Sequence, residues 1–483
     1  MRTRTAPGPA APPRDRRGVR AGDAAAVLVA VALVVAAVFV GRHIQDTRHS
    51  LFVDWPPLVG TWEPHLGPGT PFAAAVAVAV VAYGPRVAAR LRWRALLLAA
   101  YGTALAWTWS LALIDGWQRG VVERLTTRHE YVPVVGRFHD IPAALRDFTN
   151  HILIHSPDNW PAHVAGHPPG AVLTFVLLDR AGLGGGGWAG AWCITVGATG
   201  CVAVLVAVRA LASERLARRA APFLVLAPAA VWAGASPDAY FAAVVAWSVA
   251  LLALAVSGGA RWWALGSGLL FGLTCYLSYG LTLFALPLAA VLLLGRGRPR
   301  VLPFAVAGLA VVPAAFTLAG FDWWEAYRLL VRRYYEGAGG IRPYGYWVWA
   351  NLACTVLLIG LASAAGLRRA GGVLVSARRR RADEGAVRSG GRTAGAVRRV
   401  VDAVRAGGRG TPEVRLAVLV AAALLALLVA DLSGMSKAET ERIWLPFALW
   451  LLPSCAFLDG TRAWLAAQAV LALLVNHLLL TGW

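Results

Sequence analysis

Lysine is almost missing from this sequence: 46 residues are basic, and only Lys437 is not arginine. Methionine is nearly as scarce, with two residues, and cysteine is held to five. No CxxC pair and no Cys/His spacing suited to a metal occurs, which excludes a disulfide framework and a structural zinc site as the basis of the fold. Cys193, Cys201, Cys275, Cys354 and Cys455 all fall in apolar runs, where cysteine acts as a small hydrophobe. Charged residues are 15% of the chain, against roughly 25% in soluble domains. A small-residue cleavage motif is also missing behind the first apolar run, so no cleaved signal peptide is expected.

Apolar sequence is what the chain has in abundance. Hydrophobic residues reach 58% of its 483 residues, with a mean hydropathy of +0.59. A membrane-crossing helix needs roughly 20 mostly apolar residues, because each rises about 1.5 Å through a hydrocarbon core about 30 Å thick. About thirteen runs approach that length, from 24–41 to 463–482 and including 220–235, 279–295 and 443–458. The fold expected is therefore all-α, a polytopic transmembrane bundle of about thirteen spans.

The formal charge of +21 would suggest nucleic acid in a soluble protein. Here the arginines fall between apolar runs and form no folded recognition element, so no nucleic-acid partner is expected. They read instead as topology signals. With the N-terminus inside, the arginine-bearing linkers Gly84–Arg94, Ala212–Arg219 and Gly295–Arg300 become cytoplasmic, as the positive-inside rule requires. Residues 1–22 form a basic cytoplasmic tail, and 23–365 a membrane domain with outer loops 42–70, 115–186 and 320–344. Residues 366–414 form an arginine-rich cytoplasmic loop expected to be disordered, and 415–483 the C-terminal membrane helices. The same assignment requires Gly170–Leu178 not to cross, so it is read as an interfacial or re-entrant helix on the outer face.

Nine of the ten histidines lie in the loops 42–70 and 115–186, which concentrates polar chemistry on the outer face. The second loop carries the carboxylates Asp115, Glu130, Asp140 and Asp158 around a segment, 141–154, whose apolar residues share one helical face. His163 and His167 are spaced to bind a metal on a helix, but Pro168 and Pro169 oppose a helix through His167.

In these pieces the chain resembles the GT-C fold glycosyltransferases, polytopic enzymes that use polyprenyl-phosphate-linked sugars. The resemblance rests on Asp115-Gly116, His129-Glu130-Tyr131, the 141–154 segment, Gly166-His167-Pro168-Pro169-Gly170 and the turn Ser236-Pro237-Asp238-Ala239-Tyr240. It covers roughly 95–295, and it departs from the common pattern in having two spans ahead of the catalytic unit and no adjacent acidic pair behind a span.

The resemblance implies transfer of a sugar from a polyprenyl-phosphate donor to an extracytoplasmic glycan, lipid or protein of a bacterial cell envelope, with mannosyl or arabinosyl transfer favoured by analogy. Such transfer needs a carboxylate to take the acceptor proton: Glu130 first, with Asp140 and Asp115 behind it. His129, Tyr131, His163, His167 and Asp238 are then candidate substrate contacts. Cations for the leaving phosphate come from Arg328, Arg332 and Arg333 in one loop and Lys437 and Arg442 in another, with Glu439 or Glu441 orienting Arg442. No cofactor is assigned, and a divalent cation is left open. The membrane lipids are the remaining partner. A transporter or flippase of lipid-linked or anionic substrates is the alternative, and would carry internal repeats and midplane charges.

Overall fold

The computed structural model describes residues 16–388 and 410–482. It is an all-α bundle with one small two-stranded sheet, Gly60–Trp62 antiparallel to Leu479–Thr481. Eight of its helices are long and apolar enough to cross a membrane, from Gly18–Arg48 to Pro412–Leu432, and three apolar helices are shorter: Trp262–Leu277, Tyr279–Leu294 and Leu445–Phe457.

That count differs from thirteen for identifiable reasons. The run 220–235 contains Pro222 and Pro228, and its helix Glu214–Val225 gives way to a separate turn, Ala230–Ala233. Nearly every residue from 220 to 235 is buried inside the bundle. The runs 279–295 and 443–458 each contain a 3-10 stretch, at Tyr279–Phe284 and Leu452–Phe457. The last run is a helix, Thr461–Leu478, that ends in the strand Leu479–Thr481.

Burial separates the centre of the bundle from its edge. Pro237–Val256 is apolar on all sides and 83% of its apolar window is buried, whereas Arg298–Leu318 has only 11% buried. A helix hydrophobic all round and enclosed belongs in the interior. One equally apolar but bare faces lipid. The outlying helix docks on Trp262–Leu277 through facing glycines: a Cβ on Gly268 or Gly308 would strike the opposite backbone.

The arginine-rich stretch begins differently from expectation. The helix that starts at Tyr344 runs to Arg388, past the expected loop start at 366, with its one non-helical residue at Gly360 (φ +76°). A side chain there would overlap the carboxamide of Gln468. Beyond the kink, Arg368 and Arg369 bind the buried Asp23 at 2.9 and 2.6 Å, tying the first helix to this one. Ion pairing gives these arginines a folded partner that composition could not reveal. The first helix begins at Arg16, inside the expected tail, while 1–15 and 389–409 lie outside the described residues.

The segment 115–186 is a packed subdomain rather than an open loop. Its short helices Val132–Phe138, Ile141–Asp147, Phe148–His151 and Ala162–Gly166 surround Trp160, which stacks on Phe138 and Phe148 at 5.4 and 5.3 Å. The predicted 141–154 helix thus stops at His151. The helix Gly170–Arg180 has 11 residues, about 16 Å of rise, too short to cross.

Candidate active site

Four segments distant in sequence meet around the guanidinium of Arg442. Nη1 donates to Oδ2 of Asp238 at 2.7 Å, and Nη2 donates to Nε2 of His163 and to Oε2 of Glu439, each at 3.3 Å. Nδ1 of His163 donates to Oε1 of Glu130 at 2.7 Å. A guanidinium can only donate and a carboxylate only accept, so these partners fix the imidazole as the neutral form protonated on Nδ1. Asp238, Arg442, His163 and Glu130 therefore form one continuous hydrogen-bonded chain.

Local sequence places each member. Pro168 disfavours helical backbone in the residue before it, so Ala162–Gly166 ends and His167 is extended (φ −128°, ψ 152°). His163 sits on this single turn, held through its backbone N–H by the carbonyl of His129 at 3.0 Å. Ser236 caps Pro237–Val256, which presents Asp238 in the first turn of that helix. The backbone of Ala235, Ala438 and Glu439 is left-handed, at φ +53°, +71° and +63°. For residues with a Cβ this costs about 1–2 kcal/mol each. Such strain persists only where surrounding contacts enforce it.

Those contacts lie in the turn 433–444. Asn351 donates to the carbonyl of Ser436 at 2.7 Å, Arg342 to that of Lys437 at 2.8 Å, and the Val59 backbone to Oε1 of Glu441 at 2.9 Å. Lys437 points away from the cluster, donating Nζ to the carbonyl of Gly339 at 2.7 Å. Arg342, a further arginine of the loop 320–344, lies 3.9 Å from Glu439.

The carboxyl of Glu130 is 4% exposed. Burial alone would raise its pKa, but the hydrogen bond from His163 and the charge of Arg442 hold it below the ordinary carboxylate value. Its Oε2 is buried with no hydrogen-bond donor among the described residues. Glu439 is likewise held low, burial being outweighed by Arg442 and Arg342; for Arg442 burial is outweighed by Asp238, Glu439 and Glu130, which hold it above its usual value. Below this layer, Nδ1 of His167 donates to the carbonyl of His163 at 2.7 Å and lies 3.0 Å from the hydroxyl of Tyr131. Burial pushes Tyr131 well above its usual pKa and lowers His167 to about 4.

Since His167 is neutral in the folded protein down to about pH 4 while an unfolded histidine takes a proton near 6.5, the unfolded state binds more protons across that window. Stability then falls as pH drops from about 6.5 toward 4. His167→Gln, which cannot titrate, should flatten this part of the profile of unfolding midpoint against pH. An unchanged slope would show that other groups set it.

Other candidates stand apart. Asp115 is 11% exposed and bonded to Arg124, to Nε2 of His65 at 2.7 Å and, more loosely, to Arg119 at 3.9 Å. Arg124 also donates to the carbonyl of Thr481, so Asp115 clasps the loop 42–70 and the C-terminal strand to the subdomain. Asp140 is exposed and caps Ile141–Asp147, its Oδ1 accepting from the backbone of Ala143 at 3.0 Å. His129 is exposed, and contributes its backbone carbonyl.

The arginines of Trp323–Glu336 do not join the cluster either. Arg332 pairs with Glu336 at 2.8 Å and Arg328 is exposed. Arg333 turns inward, donating to the carbonyls of Ile152 and Trp160 and stapling the subdomain to this helix. A cavity of about 580 Å³ lies elsewhere, lined by Tyr276, Thr317, Phe321, Asp322, Trp323 and Trp324. Among the described residues no group of three or more His, Cys, Asp or Glu is placed to hold a metal ion.

Asp115→Asn separates structural from chemical roles. Removing one partner of a buried ion pair costs about 3–5 kcal/mol. We expect a lower unfolding midpoint, with turnover per folded molecule retained. Lost turnover at unchanged stability would restore Asp115 as a chemical group.

No family model matches the chain, and no curated protein matches it. Among solved structures it is similar to the crystal structure of the Archaeoglobus fulgidus oligosaccharyltransferase in complex with zinc and sulfate, with a TM-score of 0.44 and 16% identity over 79% of this chain. The chain spans about half the length of that protein, 51%.

Proposed function

We propose that this chain is a bacterial membrane glycosyltransferase, transferring a sugar from a polyprenyl-phosphate donor to a glycan, lipid or protein acceptor of the cell envelope on the outer face of the cytoplasmic membrane. The observation that carries the reading is the chain Asp238–Arg442–His163–Glu130, in which a carboxylate held ionised stands one imidazole away from a buried cation. Glycosyl transfer from a lipid phosphate needs both charges close together. The acceptor oxygen bonds to the anomeric carbon as its proton passes to Oε2 of Glu130. The bond from that carbon to the phosphate oxygen breaks, and the lipid phosphate leaves as an anion facing Arg442.

On this reading Asp238 and Glu439 aim the guanidinium, while Tyr131 and His167 form the floor under His163. Asp115 and Asp140 serve the fold. The aromatic cavity near Trp323 and Trp324 is where we place the prenyl chain, since it opens beside the barely buried helix Arg298–Leu318. Membrane lipids supply the route by which the donor arrives.

The test is transfer itself. Purified protein, a radiolabelled polyprenyl-phosphate mannose or arabinose, and an envelope extract should yield a labelled product larger than the donor. Asn159→Cys should react with an impermeant thiol reagent in intact cells. Labelling only after permeabilisation would put the site on the wrong face and end the assignment.

A further inference from the structure

Resting on that reading, we infer that His163 is a positioning residue that couples occupation of Arg442 by the donor phosphate to the basicity of Glu130. One imidazole touches both charges: Nε2 accepts from Arg442 at 3.3 Å and Nδ1 donates to Glu130 at 2.7 Å. Hydrogen bonds in series polarise one another in a low-dielectric site. While Arg442 donates to Nε2, the ring is a stronger donor at Nδ1, and Glu130 holds its negative charge more tightly. The carboxylate is then a weak base.

An anionic phosphate competes with Nε2 for the same guanidinium edge. Nη1 stays bound to Asp238 at 2.7 Å, so Nη2, with its longer contacts of 3.3 Å to His163 and Glu439, is the edge that turns to the phosphate. Once it turns, the guanidinium is withdrawn from Nε2, Nδ1–H weakens as a donor, and Glu130 gains basicity. The base is thus armed by the arrival of the donor it serves, which protects the enzyme from deprotonating acceptors before a donor is bound.

Glu130, His129 and Tyr131 approach His163 from one segment, and Arg442 and Glu439 from the turn 433–444. His167 lies on its own turn, and Asp238 acts through Arg442. Neither Tyr131 nor His167 changes charge between pH 5 and 8, since burial raises the first and lowers the second. The carboxylates at this imidazole, Glu130 and Glu439, are both held below their ordinary values, and the acid limb of activity reports them.

The acid limb of kcat/KM for the donor reports the free enzyme and that of kcat the occupied one. In the wild type the kcat limb should lie higher by about one pH unit, the scale of one charge-assisted hydrogen bond felt through an intermediate ring. His163→Asn keeps an N–H directed at Glu130, but its shorter side chain has no ring to carry polarisation from the Nε2 position to that N–H, and it should bring the two limbs together. A gap that survives in His163→Asn, or no gap in the wild type, overturns the coupling.

A second measurement needs no variant and no turnover. In wild-type protein with 15N-labelled histidine, titration with farnesyl phosphate should move the His163 Nε2 resonance as its donor departs, while Nδ1 keeps its proton. An unmoved resonance at saturating farnesyl phosphate also overturns the coupling. If label transfer fails while the resonance moves, the glycosyltransferase reading falls and the Arg442–His163–Glu130 linkage to phosphate stands.

Discussion

Glu130→Gln is expected to lower sugar transfer by about 10²–10⁴-fold, the usual contribution of a positioned acid or base. The substitution is nearly isosteric, and the amide oxygen can still accept from Nδ1 of His163. It removes the charge and the basic Oε2, the atom that is buried without a donor among the described residues. The unfolding midpoint should fall, because the folded site favours the charge, but less than in Arg442→Ala, because neutralising a buried carboxylate also removes a desolvation cost. Turnover assayed under donor and acceptor saturation, beside a thermal unfolding curve, checks both halves. Wild-type turnover in the variant would dismiss Glu130 as the base, and Asp115 or Asp140 would return only if their own amide variants lost activity.

Arg442 should show the opposite balance, with stability and catalysis lost together. Its side chain is 3% exposed, and Asp238 opposite it is 4% exposed. Arg442→Ala strands Asp238, with Glu439 and Glu130 nearby, and breaking a buried pair in this way costs about 3–5 kcal/mol. The unfolding midpoint should fall accordingly, and Asp238→Asn in the same chain should recover part of it. Arg442→Lys is the more informative variant for function. A single ammonium keeps the charge but cannot hold Asp238, His163 and Glu439 in one plane.

For Arg442→Lys we expect folded protein, with transfer reduced by about 10²–10³-fold, the range for removing one preorganised donor, and donor KM raised more than acceptor KM. A larger effect on the acceptor would mean that the phosphate is bound elsewhere. The exposed Arg328 and Arg332 would then be the next positions to test.

Glu130, His163 and Asp238 stand out in the sequence through the resemblance, and Glu439 and Arg442 because a dense charge cluster in a short turn between apolar runs needs partners. What sequence could not supply was the pairing. Arg442 and Asp238 are 204 positions apart, and Arg442 and His163 are 279 apart. Spacing rules reach only a few residues along a helix, so Arg328 and Arg332 looked as suitable as Arg442 for gripping phosphate. The structure separates them by burial: Arg332 is 66% exposed and Arg442 3% exposed. Asp115 and Asp140 illustrate the same limit, one being an ion-pair clasp and the other a helix cap.

By itself the sequence determined that this is an all-α protein with several helices able to cross a membrane. Hydropathy is a local property, summed over roughly 20 residues, and it needs no knowledge of neighbours. Tertiary structure decided how the apolar runs pack, as at 220–235, which is broken near its prolines and buried inside the bundle. It also decided which carboxylate meets which cation. Electrostatic pairing depends on distance and exclusion of water, and both are set by how the loops 115–186 and 433–444 fold onto the end of the Pro237–Val256 helix.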